Sequence, residues 1–154
     1  MFLNHFLEIY LPTTDDLYRR QFVIDGENCI IEAIDTAGQT QSTTLRDQWL
    51  SIGEGFILVY SICSRSSFDR VEGLYDQIKR FKAGMRPVVA ARICLVGTMA
   101  DQLDGREVST EEGLALAKEL DCSFFETSSK DRLNMEECFY DIVRALREQR
   151  RILI

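Results

Sequence analysis

Stretches of apolar and polar residues divide the chain into strand-like and helix-like segments. Two strand-like runs, residues 19–25 and 28–34, are joined at Asp25-Gly26. An Asp-Gly pair between apolar runs is typical of a β-hairpin, because glycine tolerates the positive φ that a tight turn requires. Further strands are predicted at the apolar runs 56–62, 93–96 and 123–125.

Helical periodicity predicts three helices beyond residue 65. The first begins with Ser66 as its cap and ends at Gly84, the second begins with a capping box of Ser109 and Glu112, and the third begins near Asn134. Their apolar faces contain Phe68, Val71, Tyr75, Ile78 and Phe81 in the first, Leu114, Ala117 and Leu120 in the second, and Met135, Cys138, Phe139, Ile142, Val143 and Leu146 in the third.

The order of these elements predicts the fold class. The segment from Gly38 to about Gly53 has no clear period and is interpreted as a loop. Strands and helices alternate after the opening hairpin, which indicates an α/β fold with a mainly parallel sheet. Ligands bind such sheets at the carboxyl ends of the strands. A length of 154 residues suits one domain, so residues 1–154 are interpreted as a single domain.

Charge and cysteine content narrow the function classes. Eighteen Lys and Arg against 25 Asp and Glu give a net charge of −7, which argues against broad binding to nucleic acid. The arginines of residues 144–151 are either favourable cations at a helix C-terminus or a patch that contacts a membrane. Five dispersed cysteines indicate reduced thiols in the cytosol. His5, the only histidine, argues against a Ser/His/Asp triad and a His-rich metal cluster.

Candidate chemistry begins where the second hairpin strand ends, at Asp35-Thr36-Ala37-Gly38-Gln39. A carboxylate at this position can hold Mg²⁺ directly or through water, and the Gly38 N–H can donate to a phosphate oxygen. Gln39 can orient a water molecule. These are three parts of a phosphoryl-transfer site, although the same residues also suit a strand-to-loop turn in which Asp35 caps backbone amides.

Two other predicted strands also end in polar residues, at 97–101 and 126–130. The Asp101 carboxylate can accept hydrogen bonds from the N1–H and N2–H₂ edge of guanine, and backbone amides near Ser129 can donate to its O6. That arrangement separates guanine from adenine. Each part also has a structural alternative, since Asp101 can be a turn residue and Ser128 an ordinary cap.

In their order and spacing these segments resemble the Ras family of small GTPases, most closely its fungal members, from Phe2 to the last helix. The matching residues are Asn4-His5-Phe6, Pro12-Thr13, Asp35-Thr36-Ala37-Gly38-Gln39, Arg46-Asp47-Gln48, Gly53-Glu54-Gly55-Phe56, Asp101 and Glu126-Thr127-Ser128. The resemblance implies a three-layer, P-loop NTPase-like α/β fold with a mixed, mainly parallel sheet. It also implies a switch that binds GTP or GDP with Mg²⁺ and hydrolyses GTP.

The resemblance assigns roles residue by residue. Gln39 would be catalytic and would position the attacking water, while Thr13 and Asp35 would hold Mg²⁺. Phe6 would pack edge-on to the guanine, and Tyr10 would lie over the phosphates. The implied nucleotide-binding residues are Phe6, Tyr10, Pro12, Thr13, Ala37, Gly38, Thr98, Asp101, Ser128, Ser129 and Lys130.

The resemblance also implies partners and a location. Tyr10 to Tyr18 resembles an effector loop, with Tyr10, Thr13, Asp15, Asp16 and Tyr18 as its contact residues. Effector, exchange-factor and GTPase-activating proteins would bind through residues 10–18 and 38–50, and a monomer is expected. Family members lie on the inner face of the plasma membrane. This sequence ends at Ile154 without a Cys-a-a-X box, so a cytoplasmic location is expected.

The sequence departs from the family pattern in two ways. No glycine is followed by lysine, so the printed sequence contains no G-x-x-x-x-G-K-[ST] phosphate-binding loop. We therefore expect an N-terminally truncated chain whose sheet lacks the family's first, central strand, together with most of the first helix. In place of Asn-Lys-x-Asp it has Thr98-Met99-Ala100-Asp101. The expected activity is an impaired Ras-type GTPase, and the alternative is an inactive pseudo-GTPase that binds effectors or regulators.

Overall fold

The computed structural model describes residues 16–36, 43–85 and 91–152. In these ranges the strands are β1 (Asp16–Ile24), β2 (Glu27–Asp35), β3 (Gly55–Ser61), β4 (Arg92–Thr98) and β5 (Ser123–Glu126). The helices are α1 (Thr43–Ile52), α2 (Arg65–Phe68), α3 (Val71–Ala83), α4 (Thr110–Glu119) and α5 (Glu137–Ile152), with a 3₁₀ turn at Leu103–Gly105. Among these helices, none combines the length and apolar composition that crossing a membrane requires.

The predicted hairpin is present. β1 and β2 pair antiparallel, from Asp16 opposite Asp35 to Ile24 opposite Glu27. Asp25 and Gly26 form the turn, with φ angles of 55° and 79°. Positive φ at both central residues is the geometry of a tight hairpin turn that matches the twist of the strands, and it explains the Asp-Gly pair.

The other three strands form a parallel sheet in the order β3-β4-β5. Side chains of β4 alternate between two buried clusters, as the two-residue period of a strand requires. Leu95 lies in the cluster with α3 and α4, which contains Val71, Ile78, Leu116 and Ala117. Cys94 and Val96 lie in the cluster with Cys138 and Ile142 of α5. Helices therefore cover both faces of the sheet, which confirms the layered, mainly parallel α/β fold.

The hairpin and the parallel strands are two separate sheets, and no ladder joins β2 to β3 in the described residues. The resemblance implied a further strand between these two, and that expectation stays a prediction. The hairpin packs instead on α5, where Phe22 and Ile24 are buried with Phe139 and Val143. The rings of Phe22 and Tyr140 meet edge to face, with centroids 5.9 Å apart. Apolar contact with α5 therefore connects the two sheets.

Arginines of α5 add polar contacts to the same connection. Arg144 donates to both carboxylate oxygens of Asp25 in the hairpin turn, at 2.8 and 2.6 Å. Arg147 donates to the backbone carbonyl of Ile24 at 2.8 Å, and Arg151 lies 3.7 Å from the Glu27 carboxylate. Three of the four arginines, Arg144, Arg147 and Arg151, therefore contact the turn of the hairpin, whereas Arg150 pairs with Glu54.

Two predicted boundaries were wrong at the start of a helix. The cap of α2 is Ser64 rather than the predicted Ser66, because the Ser64 side chain accepts a hydrogen bond from the Ser67 N–H. The last helix begins at Glu137. Asn134 lies outside it with a φ of 49° and donates its side-chain amide to the Glu126 carbonyl at 2.9 Å. Helical periodicity marks a face and does not fix the residue at which the helix begins.

Two other predictions, a loop before β3 and the buried face of α4, were wrong. Residues Thr43–Ile52 form a helix where a loop was predicted, because their many polar residues hide the apolar period. Leu114 is 58% exposed and does not belong to the buried face of α4. Gly113 faces inward instead, and a Cβ added there would lie 2.5 Å from both the Phe124 ring and the Tyr60 hydroxyl oxygen. Because the Phe124 ring packs against Gly113, the buried face of α4 contains Gly113, Leu116 and Ala117 and excludes Leu114.

Candidate functional site

The carboxyl ends of β4 and β5 lie side by side. Their last paired residues are Gly97 and Glu126. Beyond this pair the Thr127 N–H donates to the Gly97 carbonyl at 2.8 Å, and the Ala100 N–H donates to the Thr127 carbonyl at 3.0 Å. These bonds bring together two polar segments that the sequence analysis singled out, residues 98–101 and 127–130.

Thr98 is used to join neighbouring strands. Its hydroxyl donates to the Tyr60 carbonyl at 2.9 Å, and its own carbonyl accepts from the Ile62 N–H at 3.1 Å. Thr98 was predicted to bind nucleotide, and the structure places its side chain on the backbone of β3. In this position it can orient the following residues of the loop, Met99 and Asp101.

Met99 is the unusual residue of the same loop. It has a φ of 66°, which is uncommon for a residue other than glycine. Its large apolar side chain is 46% exposed. Its sulfur accepts a hydrogen bond from the Ser61 hydroxyl at 3.2 Å. The thioether therefore lies beside the end of β3 and presents apolar surface to solvent next to Asp101.

The Asp101 carboxylate is held by two side chains. The Gln102 side-chain amide donates to Oδ2 at 2.7 Å, and the Ser128 hydroxyl donates to Oδ1 at 2.7 Å. These two bonds, Gln102 first, hold the pKa of Asp101 below its usual value, with Lys130 adding a smaller effect. Asp101 is therefore a carboxylate at neutral pH, and a carboxylate only accepts hydrogen bonds.

Ser128 has both of the roles that the sequence analysis left open. It is 1% exposed. Its oxygen accepts from the Asp131 N–H at 3.0 Å, so it is a cap, and its hydrogen is donated to Asp101. The cap fixes the orientation of the hydroxyl, and the hydroxyl in turn orients the carboxylate.

The loop after Ser128 presents free backbone donors. Ser128 and Leu133 exchange two backbone hydrogen bonds, at 3.2 and 2.9 Å, which close the loop. Within the described residues, the amides of Ser129 and Lys130 donate to no other protein group. An anionic carboxylate and unsatisfied N–H groups therefore lie on the two polar segments that meet at this edge of the sheet.

An ion pair that was not predicted supports this edge. Arg106 forms two bonds to Glu126, Nη1 to Oε1 at 2.6 Å and Nη2 to Oε2 at 3.0 Å, and the side chains are only 20% and 15% exposed. The guanidinium lowers the pKa of Glu126. Thr110 donates to the same carboxylate at 3.1 Å. The only sequence signal was Glu126 at a strand end, because nothing along the chain marks Arg106 as its partner.

Asp35 ends β2, on the other sheet, and is exposed to solvent. Mg²⁺ binds proteins through one or two carboxylates and completes its shell with water and phosphate oxygens, so this carboxylate suits the ion. Across the described ranges, no group of three or more His, Cys, Asp and Glu residues could hold a metal by itself. Asp35 therefore fits Mg²⁺ only as one ligand beside a bound nucleotide.

Several predicted site residues lie outside the described residues and stay predictions. They are Phe6, Tyr10, Pro12, Thr13, Asp15, Ala37, Gly38 and Gln39. Asp16 and Tyr18 were predicted as effector contacts, and both belong to β1. Tyr18 packs against the cluster of Phe22 and Ile24, because its side chain lies on the hairpin face that meets α5. The contact of Asp16 and Tyr18 with effectors stays a prediction.

A protein-family model described as Ras family matches residues 1–148. The chain belongs to the Ras family. It is 50% identical to Protein ras-2 of Neurospora crassa over 163 aligned residues, covering 96% of this chain and 71% of the relative. It is 49% identical to Ras-like protein 1 of Pyricularia oryzae, covering 96% and 67%. It is 42% identical to Ras-like protein rasB of Dictyostelium discoideum, covering 94% and 72%.

Membership of the Ras family confirms the fold and the resemblance to fungal Ras-like proteins. The two adjacent polar segments, residues 98–101 and 127–130, lie at the carboxyl end of the parallel sheet.

Proposed function

We propose that this Ras-family chain binds guanine nucleotides and acts as a molecular switch that hydrolyses GTP. The observation that carries the proposal is the Asp101 carboxylate, held by Ser128 beside the free amides of Ser129 and Lys130. Guanine presents two donors, N1–H and N2–H₂, to a carboxylate, and its O6 accepts from backbone amides. Adenine presents an acceptor at N1 and a donor at N6, so both ends of the site would oppose it.

The proposed reaction uses residues on both sides of the nucleotide. Thr13 and Asp35 hold Mg²⁺, Gly38 donates its N–H to the γ-phosphate, and Gln39 positions the attacking water. Bound Mg²⁺ neutralises charge on the phosphate oxygens. Loss of the γ-phosphate then releases the segments at residues 10–18 and 38–50, and effector, exchange-factor and GTPase-activating proteins respond to that change.

We also propose a reduced affinity for the base. The Thr98 hydroxyl is already donated to the Tyr60 carbonyl, and Met99 offers a thioether where the family pattern has a lysine. The proposed compartment is the cytoplasm, which the free thiols of Cys29, Cys63 and Cys122 support.

The same observation supports a second candidate function. If Thr98 and Met99 lower the affinity far enough, the chain acts as a pseudo-GTPase that binds effectors or regulators without turnover. The two candidates differ in a measurable way. A switch releases phosphate from GTP, and a pseudo-GTPase does not.

The experiment titrates the purified chain with GDP and with ADP by calorimetry, with and without Mg²⁺, and then measures phosphate release from GTP. The switch predicts binding of GDP and not of ADP, and turnover that falls at least tenfold in Gln39→Ala. Gln21→Ala, at an exposed position of β1, is the matched control and should retain wild-type turnover. Weak or absent GDP binding without phosphate release would favour the pseudo-GTPase, and binding of ADP as tight as that of GDP would contradict the guanine site.

A further inference from the structure

Gln102 and Ser128 bind the same carboxylate in different ways. Ser128 is buried, and its hydroxyl is fixed by the cap on the Asp131 amide. Gln102 is exposed, and its amide bonds Asp101 Oδ2 from solvent. The bond from Ser128 comes from the protein interior. The bond from Gln102 occupies the exposed side of Asp101, from which a ligand would approach.

The backbone of Gln102 is held more firmly than its side chain. Its N–H donates to the Met99 carbonyl at 2.9 Å, and its carbonyl accepts from the Gly105 N–H at 3.3 Å and the Cys63 thiol at 3.6 Å. The side-chain amide has a single partner among the described residues, Asp101. A change of rotamer is therefore enough to break that bond, and the loop itself need not move.

A base that reads Asp101 must displace this amide. Each carboxylate oxygen has two lone-pair sites, so Oδ1 can keep the Ser128 bond and accept a second donor. Oδ2 can do the same only if the new donor and the Gln102 amide both fit on the exposed side. A planar purine edge that presents two adjacent donors needs that side of the carboxylate clear.

We propose that Gln102 is a specificity-determining residue that competes with the purine edge for Asp101. This inference rests on the proposed guanine site and adds a residue that regulates it. With the amide in place the carboxylate is satisfied and closed to the base. With the amide rotated away it is open, so the apparent affinity is reduced by the fraction of molecules in the open form.

The competition also acts on selectivity. The Gln102 amide presents hydrogen to Asp101, as a guanine edge does, so only a ligand with two well-placed donors replaces the lost bond fully. A ligand with one donor, such as the N1–H of hypoxanthine, leaves Oδ2 to the amide and gains less. Because such a ligand does not displace the amide, Gln102 lowers the affinity for guanine nucleotides more than for hypoxanthine nucleotides and narrows the difference between them.

The test is Gln102→Met, which keeps the length of the side chain and removes the donor. We expect its dissociation constant for GDP to fall roughly three- to tenfold, the change that one typical solvent-exposed hydrogen bond supports. The ratio of its affinities for GDP and inosine diphosphate should grow, because only GDP displaces the amide. The pKa of Asp101, followed by carboxyl ¹³C NMR, should rise, which a purely structural role for Gln102 would not produce.

Gln77→Met, on the exposed face of α3, is the matched control and should leave all three quantities unchanged. Wild-type affinity in Gln102→Met would overturn the competition and leave the guanine site standing. Absence of GDP binding in the wild type and in Gln102→Met would overturn the guanine site, and the competition with it, because the competition predicts a gain of binding. Wild-type binding therefore separates the two failures.

Discussion

Ser128 donates its hydroxyl hydrogen to Asp101 at 2.7 Å from a position that is closed to solvent. The two residues come from different strand ends, and only the parallel pairing of β4 with β5 brings them together. A surface carboxylate thus has its orientation set from the interior of the protein. Its exposed oxygen stays accessible to a ligand, subject to Gln102.

Ser128→Ala should weaken binding of GDP and destabilise the fold at the same time. It removes the donor to Asp101 and leaves the Asp131 N–H without its cap, at a cost of about 1–3 kcal/mol in the free energy of unfolding. Urea denaturation and calorimetry measure the two effects. Ser129→Ala, which keeps the backbone amide, is the control and should change neither by much. Equal effects in both variants would contradict the assigned role of Ser128.

The ion pair of Arg106 and Glu126 should stabilise the protein in a pH-dependent way. Arg106 lowers the pKa of Glu126 from its usual 4.5, so the contribution is present above pH 4.5 and is lost as the pH falls through the lower folded-state pKa. A double-mutant cycle of Arg106→Met and Glu126→Gln should give a coupling energy of about 1–3 kcal/mol at pH 7 and less below pH 4.

Arg80 and Asp76 on α3 give the matched comparison for that ion pair. Their side chains are 78% and 62% exposed, and their closest atoms are 3.7 Å apart. An exposed pair of this kind is worth about 0–1 kcal/mol, so the cycle of Arg80→Met and Asp76→Asn should give little coupling at any pH. Coupling as large as that of Arg106 and Glu126 would contradict the argument from partial burial.

Two glycines in helices should respond in opposite ways to alanine. Gly113→Ala puts a Cβ against Phe124 and Tyr60, and overpacking of this kind costs about 1–3 kcal/mol. Gly73, in α3, has no atom within 4 Å of such a Cβ, so Gly73→Ala should stabilise by roughly 0.5–1 kcal/mol. Thermal unfolding measures both. A stabilised Gly113→Ala would show that α4 can move away from Phe124 without cost.

The hairpin should open separately from the parallel sheet. Phe22 connects β1 to α5, and removal of a buried ring costs about 3–5 kcal/mol. In Phe22→Ala, native-state hydrogen exchange should accelerate in β1 and β2 far more than in β4. Val23→Ala changes a side chain on the exposed face and should accelerate neither sheet. An equal acceleration of both sheets would show that they unfold as one unit.

Local patterns predicted the elements whose cause is local. Asp25-Gly26 determines its own turn, and the apolar run through Leu95 favoured a strand covered on both faces, which the structure confirms. The resemblance to the Ras family also predicted Asp101 and Ser128 in one site, and the two side chains are hydrogen-bonded. The bonds from Gln102 and Arg106 could not be predicted, because each depends on how a loop folds back after β4. Leu114 was misplaced because a bulky ring, Phe124, fits only against the glycine beside it.

The most direct test of guanine recognition replaces the Asp101 carboxylate by an amide. Asp101→Asn replaces a carboxylate oxygen by an amide donor, which suits the C2 carbonyl of xanthine and opposes the N2–H₂ group of guanine. Calorimetry with GDP and xanthosine diphosphate should show a preference for GDP in the wild type and for xanthosine diphosphate in Asp101→Asn. Asp104→Asn, an exposed acid in the 3₁₀ turn, should keep the wild-type preference. An unchanged preference in Asp101→Asn would contradict base recognition by Asp101.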